Sequence, residues 1–319
     1  MKQVEKKVYL RQAEKIFTVI NPVSANGRTA KIWPEYREVL QKKGYQIDSV
    51  MTNYPGHATQ IVREAIREGY EFIMSVGGDG TVNEVVNGFF CGQRLINPEA
   101  KLIVFSQGTG SDFIKSLGLS NGLNPLLRVL ERGEVNLIDL GLITYVTNQG
   151  SKNTRYFINL TDAGIGGATV DRVNKSSKFY GGFLTYLIGA LKTLIKYDNK
   201  RFRLYIDGKK KKEEIINSIM IANGNYFAGG MKIAPGADLV DGLFNIIVLG
   251  DLSKLEIVTN LYRAYKGTHL SHPKISVFQG KKIRIESDQE VLLNVDGESL
   301  GRLPAEFEMF TRKLPVLLV

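Results

Sequence analysis

Apolar positions follow two rhythms along this chain. Up to about Arg132, short unbroken apolar runs alternate with stretches whose apolar residues recur every three or four positions. Ile16-Phe17-Thr18-Val19-Ile20 reads as a strand, followed by the turn-rich Asn21-Pro22-Val23-Ser24-Ala25-Asn26-Gly27. Ile32, Tyr36, Val39 and Leu40 then take helical spacing, with Pro34 assigned to the first turn and Gly44 as the stop. Ala58, Ile61, Val62, Ala65 and Ile66 predict a second helix ended by Gly69. Phe72 to Val76 and Leu102 to Phe105 predict two more strands, each running into a glycine-rich loop. Alternating strands and helices of this kind predict a parallel sheet covered by helices.

Beyond Arg132 the runs become β-branched or alternating: Tyr156–Leu160, Arg201–Ile206, Ile215–Ala222, Leu243–Leu249, Lys274–Phe278, Ile283–Glu286 and Val291–Val295. Asp207-Gly208 between two of them is a hairpin signal. Two helices interrupt the pattern. One runs from Phe179 to about Tyr197. The other opens at Ser253, with Glu256 completing a capping box. The expected fold is therefore an α/β N-terminal domain with a mostly parallel, Rossmann-like sheet, followed by a β-rich sandwich domain. The boundary is drawn between residues 134 and 135, and residues 302–319 are expected to pack back on the first domain.

Composition narrows the chemistry. The 319 residues are 43% hydrophobic and 23% charged, an ordinary globular balance that excludes disorder and fibrous repeats. One cysteine, Cys91, excludes a disulfide framework and a Cys-based zinc site, and reads as a buried structural thiol. Three histidines are too few for a His-rich metal centre. The N-terminal residues lack the apolar core of a signal peptide, and the longest apolar stretch, Gly181 to Leu191, is too short to span a bilayer. A cytoplasmic protein is expected. The net charge of +10 favours anionic partners without choosing among nucleotides, nucleic acid and membranes.

Three loops follow the C-terminal ends of the N-domain strands, where open α/β sheets bind ligands and helix N-termini attract phosphate. No loop ends in Gly-Lys-Ser/Thr, so this is not a P-loop. Gly77–Gly80 does not extend to a dinucleotide fingerprint, and Gly164-Ile165-Gly166-Gly167 reads as a β-turn. Asp79 between glycines would repel phosphate unless a cation intervenes; alternatively it stabilises its turn. Thr81-x-x-Glu84 reads as a capping box for the following helix. Asp296-Gly297 and Asp238-x-x-Asp241-Gly242 read, by themselves, as turns.

Gly77-Gly78-Asp79-Gly80-Thr81-Val82-Asn83-Glu84 resembles the GGDGT-x-N-E signature of the diacylglycerol kinase catalytic domain, found in bacterial soluble lipid kinases and, more distantly, in sphingosine kinases. Further family marks occur in order: Asn21-Pro22-x-Ser24, Gly108-Thr109-x-x-Asp112-Phe113, Gly229-Gly230-Met231, Pro235-x-Ala237, Asp238-x-x-Asp241-Gly242 and Asp296-Gly297-Glu298. GGDGT alone is shared with NAD kinases, whereas the ordered set covers nearly the whole chain. Two positions depart from the family: Ser111 stands where Asn is usual and Ala25 where Gly is usual.

The resemblance implies ATP and Mg²⁺ as cofactors, with ATP surrounded by Asn21, Pro22, Val23, Ser24, Ala25, Thr52, Gly78, Asp79, Gly80, Thr81, Val82, Asn83, Glu84 and Thr109. Asp79 would act through Mg²⁺ or directly, with Asp112 and Asp139 joining the same network. Asp296 would be the general base, supported by Glu298, in a cleft between the domains. Asp238, Asp241 and the Leu243 carbonyl would hold a second, structural cation.

The implied reaction is phosphorylation of diacylglycerol to phosphatidic acid, with phosphatidylglycerol or a sphingoid base as other acceptors. A NAD kinase and a non-catalytic nucleotide-binding regulator are the remaining alternatives. Lys175–Leu184, together with Arg201, Arg203 and Lys209–Lys212, mixes cations with apolar residues as interfacial segments do, so reversible association with an anionic membrane is expected. No nucleic-acid module is recognisable. The oligomeric state is open, a homodimer included.

Overall fold

A computed structural model describes residues 14–108, 110–175 and 182–319. The expected Phe179 helix start, Thr109 and most of Lys175–Leu184 lie outside the described residues or their side chains. The chain forms two compact units. One comprises the described residues up to Ile138 plus Lys313–Val319; the other is Asp139–Arg312.

The first unit contains, in order, β1 (Lys15–Ile20), α1 (Arg28–Lys42), β2 (Gln46–Met51), α2 (His57–Arg67), β3 (Phe72–Gly77), α3 (Asp79–Gly88), the short hairpin β4 (Phe90–Cys91) and β5 (Arg94–Leu95), β6 (Lys101–Ser106), α4 (Asp112–Ser116) and α5 (Leu123–Arg132). Its strands lie parallel in the order β2-β1-β3-β6. Every residue of β3 and β6 is buried, as expected of a parallel sheet covered on both faces. Ile16, Phe72, Met74, Ile103 and Phe105 pack with Trp33 and Leu40 of α1 and with Leu126 and Leu130 of α5. On the other side, α2 and α3 pack together and against β1 and β3.

The second unit takes in the rest: β7 (Glu134–Val146), which starts before its boundary, β8 (Lys152–Phe157), β9 (Leu160–Gly164), α6 (Ile165–Lys175), α7 (Gly182–Lys196), β10 (Lys200–Ile206), β11 (Lys209–Ile216), β12 (Ser218–Ala222), β13 (Phe244–Leu249), α8 (Lys254–Lys266), β14 (Ile275–Gly280), β15 (Lys282–Glu286), β16 (Leu292–Val295) and β17 (Glu298–Leu318). Its strands pair antiparallel in the order β14-β13-β12-β9-β16-β17, and β17 continues to β15, which pairs with β10 and so with β11. Phe157, Phe202, Phe244 and Phe307 are wholly buried in its core. The last residues of β17 add a strand to the first unit, where Val316 lies beside Leu102 of β6.

The hydrophobic pattern yields the parallel and antiparallel halves as expected. Asp207-Gly208 makes the β10–β11 turn, both residues left-handed at φ 49° and 77°. Ser253 and Glu256 form the reciprocal capping box of α8.

Four local readings are corrected. Pro34 lies inside α1, past its first turn, where it has no N–H for the Ala30 carbonyl. Cys91 is exposed on the small hairpin. Gly164 ends β9 and Ile165-Gly166-Gly167 opens α6 instead of forming a β-turn, with the Asp162 carboxylate accepting from the Gly166 and Gly167 N–H groups at 3.1 and 3.3 Å. Thr81 and Glu84 make no capping box: Gly78 is the N-cap of α3, and both residues lie within the helix.

Candidate active site

In the first unit, the chain leaves β1 for β2 on one side and returns to β3 on the other. This reversal opens a crevice beyond the C-terminal ends of β1 and β3, where such sheets bind ligands. Asn21 spans it. Its backbone N–H donates to the Val76 carbonyl (2.9 Å), its Nδ2 donates to Thr81 Oγ1 (3.0 Å), and its Oδ1 accepts from the Val23 N–H (3.2 Å). Ser24 Oγ donates to the Asn21 carbonyl at 3.0 Å and lies 2.5 Å from Thr29 Oγ1. Ala25, Asn26 and Gly27 are then left-handed in succession, at φ 50°, 56° and 80°. The Val23 side chain is 76% exposed, so it has no part in the core. Thr52 is tied to the same edge by its N–H, which donates to the Ile20 carbonyl at 2.8 Å.

The glycines at this edge serve packing as well as access. A Cβ on Gly108 would come within 2.7 Å of Gly78 Cα, and one on Gly77 within 2.4 Å of Thr81 Oγ1. The loops after β3 and β6 therefore touch backbone to backbone. Gly78 leads directly into the first turn of α3, whose leading N–H groups have no intrahelical partners and attract anions.

The two carboxylates of the signature are engaged on neighbouring helices. Asp79 accepts from the Asp112 and Phe113 N–H groups at 3.0 and 3.2 Å, capping α4 from outside. Glu84 accepts from the Gly56 and Ala58 N–H groups at 2.8 and 3.2 Å, capping α2. The expected conflict between Asp79 and phosphate is thereby eased by two backbone donors. Val82 and Asn83 are buried, so their side chains belong to the interior. Both departures from the family pattern, Ala25 and Ser111, are left-handed at φ 50°. The Ser111 hydroxyl donates to the Gly108 carbonyl at 2.8 Å, accepts from Asn121 Nδ2 at 3.0 Å and lies 2.8 Å from Ser106 Oγ, which anchors the loop without an amide.

In the second unit, Asp296 occupies the turn between β16 and β17 at φ 46°. It is both a hairpin residue and something more. Its carboxylate turns inward and accepts from the N–H groups of Ile158 (2.8 Å), Asn159 (3.0 Å) and Leu160 (2.9 Å). Three donors fix its direction and spread its charge at a position that is 5% exposed. Glu298, two residues on, pairs with Arg155 at 2.8 Å.

Asp238 and Asp241 lie on an exposed loop, where their Oδ1 atoms accept from the Val240 and Leu243 N–H groups at 3.1 and 2.8 Å. Buried Asp139 pins that loop from below: its Oδ2 accepts from the Gly242 N–H at 2.7 Å, and its own N–H donates to the Leu239 carbonyl at 2.7 Å. Two carboxylates and a backbone carbonyl are hard oxygen donors, the chemistry Mg²⁺ and Ca²⁺ prefer. No cluster of three or more His, Cys, Asp or Glu side chains with metal-binding geometry occurs among the described residues.

The sequence did not point to an apolar cavity of about 250 Å³ in the second unit, enclosed by α6, α7, α8 and the sheet beneath them. Ile165, Leu194, Met220, Phe227, Leu261 and Ala264 line it, and Asp162, Thr169, Asn217 and His269 are buried polar residues in its lining. Asp162 accepts from Ser218 Oγ at 2.7 Å besides its two helix N–H donors, yet complete burial pushes its carboxyl up to about 6. His269 Nε2 donates to the Ile233 carbonyl at 3.1 Å, and burial lowers the pKa of its imidazole. One sequence signal existed: Asp162 is the only charged residue in Leu160–Gly164.

The diacylglycerol kinase catalytic domain family matches residues 15–143, and the YegS C-terminal NAD kinase beta sandwich-like domain matches residues 160–318. A protein of Staphylococcus carnosus (strain TM300) named diacylglycerol kinase is 32% identical over 290 residues, 91% of this chain and 90% of that one. A solved diacylglycerol kinase structure from Bacillus anthracis str. Sterne is similar in fold, with TM-score 0.66 and 20% identity over 96% of this chain and 97% of that one. Yeast NADH kinase complexed with NADH is more remote, with TM-score 0.53 and 12% identity over 96% of this chain and 83% of that one. With nine-tenths of each sequence aligned to a curated relative and both halves matched by family, the chain belongs to the diacylglycerol kinase family and is a lipid kinase.

Proposed function

We propose that this lipid kinase transfers the γ-phosphate of ATP to the free hydroxyl of diacylglycerol, giving phosphatidic acid and ADP. The observation that carries the acceptor is the apolar cavity of the second unit, whose largely hydrocarbon lining suits acyl chains better than a soluble dinucleotide. In this reading, the loops at Asn21–Ala25, Thr52, Gly78–Glu84 and Thr109 take the nucleotide. Backbone N–H groups at the start of α3 supply the phosphate contacts, since Val82 and Asn83 are buried and Asp79 and Glu84 cap helices.

Asp296 receives the hydroxyl proton as the acceptor oxygen bonds to the γ-phosphorus and the bond to the departing ADP oxygen breaks. Three backbone N–H groups hold its buried carboxylate in one fixed, inward direction, as a positioned base requires. Glu298, held by Arg155, keeps the turn's negative charge in place. Mg²⁺, when bound with ATP, neutralises the phosphate oxygens. Asp238, Asp241 and the Leu243 carbonyl would hold a further, structural cation on the loop that Asp139 pins.

The test is transfer from γ-labelled ATP with Mg²⁺ to diacylglycerol, phosphatidylglycerol and a sphingoid base in mixed micelles, with NAD as soluble control. Labelled phosphatidic acid is expected, and labelled NADP or another labelled lipid as the main product overturns the acceptor. Asp296→Asn keeps a side chain that tolerates the left-handed turn and an oxygen for the Asn159 and Leu160 N–H groups, while its NH2 faces the Ile158 N–H. It should lower kcat by about 10²–10⁴-fold with the KM for ATP nearly unchanged. Near-normal turnover removes Asp296 as the base.

A further inference from the structure

A helix on a protein surface ordinarily turns its apolar stripe inward. On α8 the residues Leu255, Val258, Tyr262 and Tyr265, at spacings of three, four and three, face outward, with Leu255 72% and Tyr262 66% exposed. The end of α7 does the same through Leu191 and Ile195, the latter 68% exposed. The two helices meet here, because Lys254 Nζ donates to the Ile195 carbonyl. Large side chains on two adjoining helices thus form one apolar face in water, which in a soluble molecule marks an interaction surface.

The charge around this face is positive. Lys192, Lys196, Lys254 and Lys266 are exposed around it. Among the described residues none of these four has a carboxylate partner, and Lys266 instead lies 4.6 Å from the Tyr262 ring centroid. The α8 carboxylate, Glu256, is taken up by Lys274 at 2.8 Å and by the Ser253 N–H at 2.8 Å. On the lysine-rich β10–β11 hairpin, by contrast, Lys210 and Lys212 are paired with Glu213 and Glu214. The apolar face is also continuous with the cavity, since Leu191, Val258, Leu261 and Tyr265 are exposed and line it too.

We infer that the outer face of α8 and the end of α7 dock on an anionic phospholipid bilayer, holding the cavity mouth at the membrane surface. The lysines meet the headgroups while Leu255, Ile195 and Tyr262 enter the boundary with the acyl region. This surface rests on the lipid-acceptor reading above for its purpose, but its binding is measurable without catalysis.

The test is flotation with vesicles of pure phosphatidylcholine and of equimolar phosphatidylcholine and phosphatidylserine. The wild-type chain is expected to float with the mixed vesicles. The triple variant Ile195→Ser, Leu255→Ser, Tyr262→Ser, altered only at exposed positions outside the cavity lining, should bind them at least about tenfold more weakly. It should keep wild-type turnover on a short-chain diacylglycerol dissolved as monomers. Lys192→Gln with Lys196→Gln should reduce the preference for anionic vesicles. Unchanged vesicle binding by the triple variant overturns the inference. So does a wild-type dimer that the triple variant converts to monomer, because the face then covers a second copy. Absence of phosphorylation of any lipid by the wild type overturns the acceptor reading alone, and flotation still decides the surface.

Discussion

Asp162 sits where a charge is costly. Burial raises its carboxyl from the ordinary 3.8 to about 6, against the pull of Ser218, Gly167 and Gly166. Between about pH 4 and 6 the folded chain therefore keeps a proton that the unfolded chain releases, and the stability linked to this group falls as pH rises through that window. The full shift corresponds to about 3 kcal/mol. Asp162→Asn removes the charged form, so its stability relative to wild type should be more favourable at pH 8 than at pH 4, as read from urea unfolding of both proteins. An equal difference at the two pH values would mean that the carboxyl is not raised. Tyr197 is pushed upward too, first by burial and then by the Asp162 charge, and its buried hydroxyl has no hydrogen-bond partner among the described residues. Ala25 carries a different strain, since a left-handed non-glycine residue costs roughly 1–2 kcal/mol.

The elements of the first unit are stapled to one another by side chains from elsewhere. The N-terminus of α4 has no side-chain cap of its own and receives Asp79; that of α2 has none and receives Glu84. Capping in this manner couples the loops after β2, β3 and β6, so the edge proposed to take the nucleotide is one connected piece. Glu84→Ala leaves the Gly56 and Ala58 N–H groups without their acceptor and should cost about 1–2 kcal/mol, measured by denaturant unfolding. Because Glu84 serves α2, the KM for ATP should stay close to wild type. A large rise in KM without loss of stability would return Glu84 to the nucleotide site. The second unit shows the same economy at α6: Gly166 and Gly167 allow the helix to approach Asp162 and the Leu292 carbonyl, which a Cβ would reach at 2.7 and 2.1 Å.

At the scale of the whole molecule, the chain end belongs to its beginning. Lys313–Val319 joins the first unit, and Leu314, Val316 and Leu317 are wholly buried there. Burying three such side chains contributes roughly 1.5–3 kcal/mol each, a sum comparable with the ~5–15 kcal/mol that holds a domain folded. Removing residues 313–319 should therefore unfold the first unit and abolish ATP binding, which calorimetry and nucleotide titration would report. A truncated chain with the full thermal transition would contradict this account. No described helix is long and apolar enough to cross a membrane.

Local chemistry determined much of this molecule directly. Runs such as Phe72–Val76 form strands because an unbroken apolar segment fits a sheet covered on both faces. Ser253 and Glu256 cap α8, and Asp207-Gly208 turns a hairpin, because the atoms involved are close in sequence. The ordered glycine and aspartate marks identify the family, and at Gly77 and Gly108 close backbone approach restricts which residues fit. The partners of Asp79, Glu84 and Asp296 lie 33 to 34, 26 to 28 and 136 to 138 residues away, so only tertiary structure could decide them. Gly164–Gly167 was misread for the same reason: whether glycines turn a chain or let a helix approach a strand depends on what lies opposite. The cavity follows the same logic, since its lining comes from three helices and several strands that no local pattern brings together.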